Sequence, residues 1–349
     1  MFYWRKFALA LSFVFALSAG QASAKAPIHA LSSSERAAAE KQNEFARRNP
    51  RSDEERSKVF RPYAEYETAG YVIFSDADDY NSGTIRREIA KNLPSDMQLV
   101  VLSRTESQAA EARTYFSNFI SPSRLHSVVT PVGDTFWARD SSPEPVFIGT
   151  AQNPKLGLVE TRHRNGDKIA RQVGPFFSAP VTRSDYAYPG GNFLADRNGN
   201  CFAVQDIYPP EAEIKRLYGC KTVTLFPRAH GIGHVDETLK ILSDTEALTD
   251  VPQYAEVLQE LGFRVSILPR PRGNSNGTYA NSLLVNGTVF LPVYGVPEDQ
   301  TAIEMYRSYG LRVVPLRSNS LSEYGLGSIH CITMSYPPTD LAKLLSAFR

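Results

Sequence analysis

One cysteine of this chain follows a glycine-bearing loop, Gly325-Leu326-Gly327-Ser328-Ile329-His330-Cys331, and well upstream the sequence reads Gly231-Ile232-Gly233-His234-Val235-Asp236. A thiol, an imidazole and a carboxylate are the parts of a nucleophilic cysteine site: the thiolate attacks, the imidazole moves protons and the carboxylate fixes charge. His234 and Asp236 stand two apart, so on an extended backbone both side chains point to one face. Glycines around both segments let a ligand approach the main chain closely. Each residue also has an ordinary use. A lone histidine is commonly a hydrogen-bonded structural group, Asp236 ahead of Glu237-Thr238 suits a helix N-cap, and a cysteine can be an inert buried thiol.

Such side chains need rigid elements to hold them. Apolar runs at 70–74, 99–102, 127–130, 156–160, 223–226, 238–242, 265–268, 283–285, 289–292 and 313–316 predict short strands. Amphipathic stretches at 84–93, 108–119, 254–261 and 299–308 predict helices between them. Short strands alternating with helices mean an α/β architecture. No segment of the sequence repeats another. The stretch 25–65 is polar and charged, with Ser32-Ser33-Ser34-Glu35 as a helix start. It reads as a loosely attached N-terminal arm ahead of one catalytic domain over 66–349.

The first residues carry Arg5-Lys6, an apolar run over 7–17 and then Ala22-Ser23-Ala24. Charged start, short apolar core and A-x-A end are the pattern of a cleavable secretory signal over 1–24, so a secreted or periplasmic location is expected. The apolar run is too short for a permanent membrane anchor. The whole chain has 38 basic and 37 acidic residues, and loss of Arg5 and Lys6 moves the net charge from +1 to −1. That balance excludes a large basic surface for nucleic acid or an anionic membrane. Of the three cysteines, Cys201 and Cys220 are close enough in sequence to pair after export, or to be two buried apolar thiols; Cys331 is the odd one.

Four short motifs occur in one order: Trp137-Ala138-Arg139-Asp140, Gly190-Gly191-Asn192, Gly233-His234-Val235-Asp236 and Gly327-Ser328-Ile329-His330-Cys331-Ile332-Thr333. Together, from about Tyr71 onward, they resemble the agmatine deiminase and bacterial peptidylarginine deiminase family of guanidino-group-modifying enzymes. The resemblance implies a five-bladed, pseudo-symmetric α/β propeller (the pentein fold) of ββαβ units around a negatively lined centre. It also implies roles: Cys331 as nucleophile, His234 as proton carrier, Asp140 and Asp236 forking onto the guanidinium, Trp137 as an aromatic wall, and Asn281 and Asn192 near the substrate. A guanidinium is planar and a poor electrophile, so paired carboxylates that fix its plane and charge suit it. No metal or organic cofactor is implied. Many relatives, agmatine deiminases among them, carry a glutamate directly before the Gly-Gly pair; here that residue is Pro189, so a carboxylate that would orient His234 is absent from that position.

Arg162 and Arg164, flanked by Glu160 and Asp167, are two apart and on a strand would share a face. Such a pair can clamp a carboxylate, which a C-terminal arginine has and agmatine lacks. The expected activity is therefore a secreted peptidylarginine deiminase acting on arginine-containing peptides or proteins. Agmatine or free arginine as substrate is the alternative, and a non-catalytic guanidinium-binding protein is the alternative of another class.

Overall fold

The computed structural model describes residues 26–50, 59–131, 135–165 and 169–347. The expected signal segment lies outside the described residues. Among those residues the strands form five separate sheets. Each contains the same local unit: an antiparallel strand pair, a helix, and a third strand lying parallel to the second. Thr288–Val293 pairs antiparallel with Leu283–Val285; the helix Glu298–Ser308 then crosses over and Arg312–Arg317 adds in parallel. Leu239–Ser243, Glu246–Thr249, the helix Pro252–Glu260 and Arg264–Ile267 repeat the pattern. Parallel neighbours cannot be joined by a tight turn, and the helix supplies the crossover.

Strands covered on both faces read as unbroken apolar runs. Leu99, Val100, Val101 and Leu102, within the strand Gln98–Ser103, are all fully buried. The sheet that contains them is completed by Met334–Tyr336, which pairs antiparallel with Tyr71–Ser75. The last described strand thus completes the sheet of Tyr71–Ser75, directly after the segment that carries Cys331.

The described parts of the stretch read as a loose arm, 26–50 and 59–65, are docked instead. Ser32 and Glu35 form a reciprocal capping box that starts the helix Ser33–Arg48. Arg36 forks onto Asp206 at 2.7 and 2.9 Å. Asn43, buried, exchanges two hydrogen bonds with the Ala187 main chain. Val59–Pro62 then pairs with Glu144–Thr150, and Arg61 makes a buried fork to Glu67. Polar composition misleads here because the polar groups are spent on each other and on main chain.

Cys201 and Cys220 are joined in a disulfide. Cys201 lies in the strand Asn200–Val204 and Cys220 just before its parallel neighbour Thr222–Phe226, so the bond staples the crossover helix Glu211–Tyr218. Replacing both cysteines with alanine should lower unfolding free energy by about 3 kcal/mol, the chain-entropy value for a loop of this size. The reactivity of Cys331 should not change. Urea unfolding checks this; an unchanged midpoint would mean that helix packing alone holds the unit.

Candidate active site

The site is built from turns between these elements. Trp137 precedes the one-turn helix Ala138–Ser141, which carries Asp140. Gly190–Asn192 and Val235–Glu237 are single 3-10 turns, the second preceded by His234. The four residues of the expected catalytic set are brought to one place, and Gly191 is its centre. A Cβ there would lie 2.9 Å from His234 Nδ1, 3.0 Å from Asp140 Oδ1 and 3.2 Å from Asp236 Oδ2. Gly191 is required for room. Its N–H donates to Asp140 Oδ1 at 2.9 Å.

Cys331 is fully buried, with its thiol 3.2 Å from Asn281 Oδ1 and 3.7 Å from Asp236 Oδ2. Asn281 also accepts from the Cys331 N–H and donates to the Asp236 carbonyl, so it ties the thiol segment to the carboxylate segment. Asn192, expected at the substrate, is a positioning residue. Its amide accepts from the N–H groups of Val204 and Val235 and donates to the Val204 carbonyl.

Burial, followed by the charges of Asp236, Glu237 and Asp140, pushes the Cys331 thiol well above its usual range. Burial also lowers the His234 pKa, against the pull of Asp140. The resting pair is therefore thiol and neutral imidazole. Asp140 is held well below the usual carboxylate range: burial opposes this, but His234 and His29 outweigh it. Asp236 is likewise lowered against burial, chiefly by its hydrogen bond from His330. Burial and then Asp236 raise Glu237 to about 8, so it is a neutral acid at pH 7. Asp236 Oδ1 and His234 Nδ1 are buried with no hydrogen-bond partner. A buried acceptor left open in this way is costly, and a planar cation with several N–H groups satisfies it.

Beneath the site lies a second charge cluster. His330 Nδ1 donates to Asp236 Oδ2 at 2.7 Å, and its Nε2 lies 2.9 Å from Glu65 Oε1. Glu65 also takes Arg139 at 3.0 Å and Lys240 at 2.7 Å. Sequence reasoning missed Glu65, His330 and Lys240; only the adjacency of His330 to Cys331 marked any of them.

It missed His29 as well. His29 stacks on Trp137, ring centroids 4.2 Å apart, and its Nε2 meets Asp140 Oδ2 at 2.6 Å. His163 Nε2 lies 3.6 Å from the same oxygen. His29, Asp140 and His234 present ligand atoms within 4.8 Å of one another, close enough to hold a metal ion. The 2.6 Å contact is that of a direct charge-assisted hydrogen bond, shorter than the spacing of two ligands about a tetrahedral ion with bonds of about 2.0–2.1 Å.

Arg162 and Arg164 do not share a strand face. Arg162 follows the strand Asn153–Glu160 and binds the Ser184 carbonyl and Asp185. Arg164 sits at φ +43° in a one-turn 3-10 helix and binds Glu35 and the carbonyls of Ile28 and His29. A joint carboxylate clamp is not formed.

The fold and the buried thiol–imidazole–carboxylate site define an α/β enzyme of the guanidino-group-modifying kind. Residues 81–337 match the family described as Porphyromonas-type peptidyl-arginine deiminase, and the chain belongs to that family. A Mycoplasma mycoides subsp. mycoides protein that bears the provisional name agmatine deiminase is 23% identical over 285 residues, covering 61% of this chain and 77% of its own. A Streptococcus mutans protein of the same provisional name is 34% identical over 95 residues, 26% of each chain. Among solved structures, Campylobacter jejuni agmatine deiminase superposes with a TM-score of 0.67 at 14% identity, covering 79% of this chain and 96% of its own. Enterococcus faecalis agmatine deiminase gives 0.67 at 17% identity, with 81% and 97% covered.

Two outcomes test the electrostatics. Glu65→Gln leaves the buried Arg139 and Lys240 undercompensated, and should cost about 3–5 kcal/mol of stability by chemical denaturation. A loss within the roughly 0.5 kcal/mol of an ordinary surface change would remove Glu65 from the centre of the cluster. Because the Cys331 thiol is raised, its alkylation by a neutral haloacetamide should still be accelerating at pH 9. An early plateau near neutrality would instead reveal a thiolate–imidazolium pair with His234.

Proposed function

We propose that this chain hydrolyses the guanidinium of an alkylguanidine such as agmatine to a ureido group and ammonia. The observation that carries the reading is the pair of buried, ionised carboxylates, Asp140 and Asp236, set around one point beside a buried thiol. A guanidinium bound between them adds positive charge where the carboxylates hold the thiol protonated, and so favours the thiolate. The Cys331 thiol gives its proton to His234 as Sγ adds to the guanidinium carbon. A C–N bond breaks as ammonia leaves with a proton carried by His234. The thiouronium formed on Cys331 is then attacked by water that gives a proton to His234; the C–S bond breaks and the thiolate is restored. Agmatine is preferred over a C-terminal arginine because Arg162 and Arg164 are engaged elsewhere, and because the compared relatives and structures bear the agmatine name.

A second reading, peptidyl-arginine as substrate, is favoured by the description of the matched family and by a peptide segment of this chain that already lies against Trp137. Export is part of the proposal: the disulfide and the signal-like first residues support it. We also take the five repeated ββαβ sheets for blades of a propeller, with the last described strand's pairing to Tyr71–Ser75 as support.

Ammonia release should be measured in parallel with agmatine, free arginine and a peptide ending in arginine. Agmatine should be the best substrate, and Arg162→Ala should leave its turnover unchanged. Cys331→Ala should abolish release from all three without a change in melting temperature. Preference for the peptide would establish the second reading, and residual turnover in the alanine variant would overturn the mechanism.

A further inference from the structure

Ahead of the docked helix Ser33–Arg48, the segment 26–32 runs across the site as an extended strap. Its main chain is held at four points. Tyr80 donates to the Ala26 carbonyl at 2.7 Å, and Trp137 Nε1 to the Pro27 carbonyl at 2.8 Å. Arg164 donates to the Ile28 and His29 carbonyls, and the His29 N–H donates to the Gly325 carbonyl at 2.8 Å. The strap has little apolar anchorage of its own; Ile28 is 52% exposed. What it inserts is one side chain.

The His29 ring is fully buried. It lies parallel to Trp137 with an interplanar angle of 20°, donates to Asp140 and meets His234 edge-on with centroids 5.0 Å apart. A Cβ on Gly327 would lie 2.9 Å from its Nδ1, so the floor of the slot is shaped to it. Burial disfavours a charge on His29, yet Asp140, with Glu237 and Asp236 beyond it, raises its pKa. A flat cation with N–H donors, sandwiched on an aromatic wall and bound to a carboxylate, has the recognition chemistry of a guanidinium.

We propose that His29 is a built-in pseudo-substrate: the strap seats an imidazole in the guanidinium position and must withdraw before a substrate enters. This rests on the assignment of that position under the proposed function. The groups that hold the strap, Asp140 and Trp137, are the ones a guanidinium substrate would use, so an incoming cation competes directly for them. The helix behind the strap stays fixed through Arg36–Asp206 and Asn43–Ala187, which makes 26–32 the moving part. A cavity of about 230 Å³ borders it, lined by Leu31, Glu35, His163, Arg164, Tyr188 and Pro189, and gives the strap room to shift.

The test is the rate at which chloroacetamidine, a small planar cation that alkylates thiols, labels Cys331 in the full chain at neutral pH. Mass mapping reads the label, and agmatine turnover is followed alongside. His29→Ala should label roughly tenfold faster or more, the factor expected when one charge-assisted hydrogen bond no longer closes the site. Its KM for agmatine should fall in parallel. Tyr80→Phe, which removes the hydrogen bond to the Ala26 carbonyl, should shift both in the same direction by less, and serves if the first variant folds poorly. Equal or slower labelling in both variants would overturn the strap, whatever happens to turnover. Faster labelling without turnover of any guanidine would leave the strap standing and refute the deiminase reading.

Discussion

Concentrated negative charge, buried at one point, is the constraint on which this molecule turns. Asp140, Asp236 and Glu237 are buried there, and the Glu65 side chain, 9% exposed, reaches the same region through His330. Isolated charges in such a place would be driven to neutrality. The chain answers in three ways. It keeps Glu237 protonated, it packs Arg139, Lys240 and His330 around Glu65, and it leaves the upper face shaped for a cation. His29 is the cation, or near-cation, that meets this demand within the chain itself.

The same field sets the state of the nucleophile. A thiolate surrounded by carboxylates is disfavoured, so Cys331 rests as a thiol while its site is negatively charged. Reactivity then depends on the charge of whatever enters, which couples recognition to activation without any separate trigger. A protonated, fully buried thiol also resists oxidation, in a chain whose other two cysteines have formed a disulfide.

Much of this was legible in the residues. The strand runs at 99–102, 265–268, 289–292 and 313–316 and the helix at 299–308 fall on observed elements, because continuous apolar burial and amphipathic spacing are local signals. Cys331, His234 and Asp236 were marked by glycine-flanked motifs and Asp140 by its place in Trp137-Ala138-Arg139-Asp140, and the structure brings the four together. His29 and Glu65 were not legible. Both precede the matched region, and their partners are far along the chain, at Asp140 for one and at Arg139, Lys240 and His330 for the other. Nothing in a polar stretch distinguishes a buried ion pair from a solvated one. Arg162 and Arg164 failed for a different reason: spacing predicts a shared face only on a strand, and the strand ends at Glu160.

The pairing of Met334–Tyr336 with Tyr71–Ser75 sets a time order as well as a topology. Tyr71–Ser75 stays unpaired on one side until residues 334–336 have been made and delivered, and Cys331 comes into register with Asn281 and Asp236 in the same event. During synthesis, every preceding unit can fold while the nucleophile is still absent. A chain that stops before Cys331 therefore exposes an unpaired strand edge, a feature that favours aggregation, and leaves no half-working catalyst behind.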